Sequence, residues 1–175
     1  MTHMKKGFTL IELLVVIGII GILAAIVVIA VNPGRQFAQA RNTQRKSDLI
    51  GITNSIYQFA AEHDGNLPAT TYTAGAGNFP TCALSDGSDA TEIGSATFDL
   101  AAAGARDATG DGAADAELLV PTYIADVPVD PSTGDYATGA DYFICVMDAS
   151  TATPGRIYAS ATDELDAATP ITVLR

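Results

Sequence analysis

Histidine, cysteine and positive charge are all scarce in this chain, and each scarcity removes a class of function. Two histidines, His3 and His63, occur in 175 residues, and no nucleophile motif accompanies either. A catalytic triad therefore has no support. The two cysteines and two histidines form no metal-type cluster by spacing, and no phosphate-cradling glycine loop is present. His63, beside the end of a helical pattern, reads as a polar terminus residue. Nine bases stand against 20 acids, a formal net charge of −11, which argues against nucleic-acid binding by the bulk of the chain.

The few bases are unevenly placed. Lys5 and Lys6 open the chain, and Arg35, Arg41, Arg45 and Lys46 cluster further on. Beyond Ser47 only Arg106, Arg156 and Arg175 remain, against every acid except Glu12. Two readings of the cluster stand side by side. A basic stem attracts the acidic heads of neighbours, or a juxtamembrane patch faces lipid headgroups.

What the chain does have is one long oily run. Leu13 to Val31 is 19 residues without a charge, a proline or a strongly polar group. As helix it is about 28 Å long, close to the hydrocarbon thickness of a bilayer. Glu12 lies at its leading edge, and a glutamate entering hydrocarbon costs on the order of a few kcal/mol. Such a charge is either solvated by headgroups or paired with a cation. Within one straight helix the first amine and the fifth side chain pair poorly. A neighbouring helix displaced along the axis brings its amine opposite Glu12 more naturally.

The residues flanking Glu12 favour pairing. Lys5-Lys6-Gly7-Phe8-Thr9-Leu10-Ile11-Glu12, followed by the apolar run, resembles the N-terminus of the type IV pilins and type II secretion pseudopilins. The resemblance implies cleavage by a prepilin peptidase between Gly7 and Phe8 and N-methylation of Phe8. Glu12 then becomes the fifth residue and pairs with the terminal amine of a neighbouring copy. It also implies an α+β pilin-like fold, a long N-terminal helix packed on a small antiparallel sheet. The layout is a leader (1–7), a membrane and filament-core helix (8–34), its amphipathic continuation (35–64) and a globular head (65–175). Implied partners are copies of the chain, the peptidase, an assembly ATPase with its platform, and the inner membrane before assembly. No enzymatic activity and no cofactor are expected, calcium excepted. The expected course is a single-pass precursor in the cytoplasmic membrane that becomes an extracellular or cell-surface filament.

Three rivals remain. A pseudopilin of a secretion or DNA-uptake machine shares the motif. A conventional signal peptide would use the small residues at Val28-Ile29-Ala30, although Glu12 and the length of the run suit it poorly. A signal-anchored extracellular binding domain would never polymerise.

Gly18 and Gly21 either permit close helix approach or reflect the tolerance of membrane helices for glycine. Asn32-Pro33-Gly34 breaks the helix, with Asn32 as N-cap and Pro33 at the first position of a restart. The resemblance implies that this break lets the helix stretch or melt inside a filament. Leu49, Ile52, Ile56 and Phe59 then recur at helical spacing and predict a stripe packed on a sheet. Gln44, Lys46, Asp48, Ser55 and Glu62 form the opposite, polar face. Asp64-Gly65-Asn66-Leu67-Pro68 ends the helix. From Ala69 to Ala116 the composition predicts a connecting region with few large apolar residues that covers the sheet. Short helical pieces are expected around Phe98–Ala105 and Ala116–Val120. The prolines at 121, 128 and 131 predict an extended wrap. Asp141–Met147, Arg156–Ala161 and Pro170–Leu174 read as strands.

Cys82 and Cys145 are an even pair in a chain headed out of the cytoplasm and read as a disulfide, the alternative being two buried thiols. Asp107, Thr109, Asp111 and Asp115 place oxygens at positions 1, 3, 5 and 9 of a calcium-type loop, with Gly112 at the sharp turn. Leu118 stands where a bidentate acid is wanted, and a solvated Asp/Gly turn is the competing reading.

Overall fold

Helix α1 (Leu10–Val31) and helix α2 (Pro33–Glu62) follow directly from the hydropathy pattern. The computed structural model describes residues 7–70, 72–73, 76–105, 117–148 and 155–175. The leader residues 1–6 and all four calcium-loop positions, Asp107, Thr109, Asp111 and Asp115, lie outside them. Two compact units result, Met1–Ala38 and Gln39–Arg175.

In the first unit α1 is apolar all round and every one of its residues is exposed. Its 22 residues make about 33 Å of helix, long and apolar enough to cross a membrane. Between α1 and Pro33, Asn32 adopts a left-handed backbone (φ 46°), which asparagine tolerates better than most residues. Its carbonyl and side-chain oxygens both accept from Arg35 N–H, so one residue closes α1 and caps the restart.

In the second unit the remainder of α2 lies on a mixed sheet. Strands β1 (Tyr72–Thr73) and β2 (Ala76–Gly77) form a separate two-stranded ribbon. The main sheet contains β3 (Thr81–Cys82), β4 (Thr91–Glu92), β5 (Tyr142–Met147), β6 (Ile157–Ala161) and β7 (Ile171–Leu174). Its order is β3-β5-β6-β7, with β4 also on β5. A short helical turn, α3 (Leu119–Thr122), interrupted by the extended backbone of Val120, precedes β5.

Each of the three expected C-terminal strands forms within one residue of its sequence-based range. The sheet is not purely antiparallel, however. Strand β3 runs parallel to β5, pairing Thr81 with Val146, while β4 runs antiparallel, pairing Thr91 with Ile144. Both occupy one edge of β5 in series, and the loop between them reverses the chain, so the two must run in opposite senses. Two-residue strands carry too little alternation to be legible beforehand.

The stripe Leu49, Ile52, Ile56 and Phe59 is fully buried against Tyr142 and Ile144 of β5 and Ile157, Ala159 and Ala161 of β6. Each such large side chain contributes about 1.5–3 kcal/mol by leaving water. The connecting region does more than cover the sheet. Phe79, Ile93, Phe98 and Leu100 enter this core, so sparse apolar residues there are used almost completely. The polar face also needs revision, because Ser55 is buried with its hydroxyl donating to Ile52 O, and Asp48 is half-buried.

The other face of the sheet holds a smaller core of Cys82, Cys145, Met147 and Tyr158. The two cysteines form a disulfide with Cα atoms 5.6 Å apart. Gly87 lies so close to the Tyr158 ring that a Cβ would fall 2.3 Å from it, and its φ of +68° also suits glycine. Replacing both cysteines by alanine is expected to lower the stability of the head by about 4 kcal/mol in the chain-entropy view. Chemical denaturation of the two proteins side by side measures it. An unchanged midpoint would mean that the bridge contributes nothing.

Candidate functional site

The start of α1 is organised by a capping box. Thr9, in extended conformation, accepts Glu12 N–H on Oγ1 at 3.3 Å, while Glu12 Oε2 accepts from Thr9 N and Thr9 Oγ1, each at 2.8 Å. Two orphan amides at the helix N-terminus are thereby satisfied. A carboxylate there also complements the positive end of the helix dipole. Phe8, the residue before the cap, is 82% exposed. Glu12 thus has an intrachain partner in Thr9, and Thr-x-x-Glu before an apolar run is its legible signature.

The cationic cluster resolves into two different kinds of residue. Arg45 is 2% exposed and donates to both carboxylate oxygens of Asp130, to Ser132 Oγ, to Asn42 Oδ1 and to Glu164 Oε1. Arg41 pairs with Glu164 through Nε at 2.6 Å and through Nη2. Arg41 and Arg45 are thus engaged within the head, which leaves Arg35 and Lys46 as the exposed members of the cluster. Among the described residues no ion pair engages Arg35 or Lys46. The partners lie 85 and 119 residues beyond Arg45, a distance that no local pattern bridges. Gly134 holds the turn that presents Asp130, since a Cβ there would meet Asp130 N at 2.3 Å.

Burial pushes the Asp130 carboxyl up, but hydrogen bonds from Arg45 and Ser132 outweigh it and hold the group well below the usual carboxylate range. The guanidinium of Arg41, and then that of Arg45, bring Glu164 down to about 2. Tyrosines tie the same helix to the head. Tyr142 donates to Asp48 at 2.8 Å and Tyr123 to Glu62 at 2.7 Å, the latter bond chiefly raising the Tyr123 phenol to about 12. His63 stacks on Phe59 with ring centroids 4.0 Å apart, places Nδ1 2.8 Å from Phe59 O and faces Glu117. Its role is packing at the helix end.

Of the residues singled out in the sequence, Gly7, Phe8 and Glu12 stand together at the head of α1. Asn32, Pro33 and Gly34 stand at the break that follows it, and Cys82 is joined to Cys145. Among the described residues no group of three or more His, Cys, Asp or Glu side chains is arranged to hold a metal ion. Residues 2–28 match the family model described as the prokaryotic N-terminal methylation motif, the prepilin signature of type IV pilins and pseudopilins. No solved structure matches the chain.

Proposed function

We propose that this chain is a structural subunit of a type IV pilus-like surface filament, made as a membrane-inserted precursor and polymerised through α1. The observation that carries the reading is an apolar helix of 22 residues, exposed along its whole length and headed by the methylation motif. An apolar surface of that extent is covered by lipid or by other copies of itself. Removal of residues 1–7 frees an amine at Phe8, the cation that a neighbour's Glu12 would take.

On this reading the protein is not an enzyme and needs no cofactor. It works with a prepilin peptidase, an assembly ATPase and its platform, and its acidic head faces water at the cell surface. The mature protein is expected to have lost Met1–Gly7 and to carry one methyl group on Phe8, which an intact-mass measurement reads directly. An intact Met1, or a start at Val31, would remove the basis of the proposal. Long isolated fibres by electron microscopy would assign a pilin. Short fibres confined to a secretion or DNA-uptake machine would assign a pseudopilin.

A further inference from the structure

Strand β7 lies at the margin of its sheet, and among the described strands it is hydrogen-bonded to β6 alone. Its apolar anchorage is limited to two residues, Val173 buried in the core and Ile171 half-buried against it. What holds the loop leading into it is charge. Glu164 accepts from Arg41 Nε at 2.6 Å, from Arg41 Nη2, and from Arg45 Nη2 at 2.6 Å. Glu164 N donates to Asn42 Oδ1 at 3.2 Å, and Asn42 Nδ2 donates to Asp163 Oδ1 at 2.6 Å. Asp163 in turn accepts from the amides of Leu165 and Asp166, and Asp166 accepts from Ala168 N and Thr169 Oγ1. The loop is therefore one stiff piece fastened to α2 at its N-terminal end, while Leu165 stays 45% exposed and adds no core contact.

We infer that Arg41, Arg45 and Glu164 form a charge lock that keeps β7 in the sheet. Neutralising Glu164 frees the loop and β7 as one unit while β5, β6 and α2 stay folded. The remaining ties to β7 are few. Beyond the β6 ladder, which the Arg175–Ile157 backbone pair extends, they include Val173 in the core with Ile171 packed against it, Arg175 Nη1 on Asn54 Oδ1 at 2.6 Å and Arg156 Nη2 on Leu174 O at 3.1 Å. The body of the sheet keeps its own supports, namely the five-residue β5–β6 register, the disulfide and the Arg45–Asp130 pair. Cooperative units that open below the global stability have this character of few apolar contacts and local polar fastening. Opening would uncover the backbone edge of β6.

Amide hydrogen exchange on the full chain in detergent micelles tests the lock. Glu164→Gln keeps the shape of the side chain and removes its charge. Exchange of the amides from Glu164 to Leu174 is expected to rise about tenfold or more, with those of β5 unchanged. Adding Arg41→Gln to that variant should change little further, because the bond is already broken. Unchanged protection in β7, or equal loss of protection in β5 and α2, would overturn the lock.

Discussion

Replacing Asp130 by alanine is expected to destabilise the head by about 3–5 kcal/mol, one of the two largest effects foreseen for a single substitution here. Both side chains of the Arg45–Asp130 pair are 2% exposed, so truncating the acid leaves a guanidinium in the interior with its main partner gone. Arg45 retains Glu164, Asn42 and Ser132, but Glu164 is 22% exposed and already shared with Arg41, and Ser132 is itself held by Asp130. The turn at Asp130 suffers as well, since its Oδ1 accepts from Ser132 N, Ser132 Oγ and Thr133 N. Replacing Arg45 by methionine in the same chain removes the stranded charge. The double variant should therefore be less destabilised than the sum of the singles, and a denaturation cycle measures that difference.

Acid provides a second handle on the same pair of loops. The folded-state pKa values of Asp130 and Glu164 are depressed, so their contribution is present above the unfolded value and lost as pH falls. For Glu164 the window runs from 4.5 down to about 2. Stability of the parent should fall through this range, and Asp130→Ala should flatten part of the slope. A parent whose denaturation midpoint is constant from pH 5 to pH 2 would contradict this account.

The features legible in the sequence are those that repeat at a fixed period or occupy adjacent positions. The apolar run of α1, the 3-4-3 spacing of Leu49, Ile52, Ile56 and Phe59, and the alternation from Tyr142 to Met147 each report a buried or lipid-sized surface directly. The prepilin motif is contiguous, and it alone carries the functional reading. Arg45 was legible only as a cation, because its burial is decided by acids on two distant loops that no period connects to it. Strands β3 and β4 were missed for a related reason. Two residues of strand are fixed by the edge they join, not by their own propensity. The capping box was readable and concerns Glu12 itself. It supplies an intrachain function for the residue on which the whole assembly argument turns.

That second function decides how Glu12 should be tested. Glu12→Ala is expected to abolish fibres while leaving membrane insertion intact, a loss on the order of a hundredfold or more if a buried charge pair forms at each contact. Alanine, however, also removes the acceptor for Thr9 N and Oγ1, so lost fibres alone would not distinguish pairing from capping. Glutamine separates them, because it completes a capping box as glutamate does but carries no charge. If the carboxylate serves a neighbouring amine, Glu12→Gln should fail nearly as badly as alanine, with the mature mass and membrane fraction normal. If glutamine restores fibres, the residue acts by starting its own helix, and the axial stagger between subunits must be set by the apolar surfaces. Crosslinking from position 12 to Phe8 of a neighbouring copy adds an independent reading. A tethered monomer gives none, and a filament with paired termini gives it at every contact.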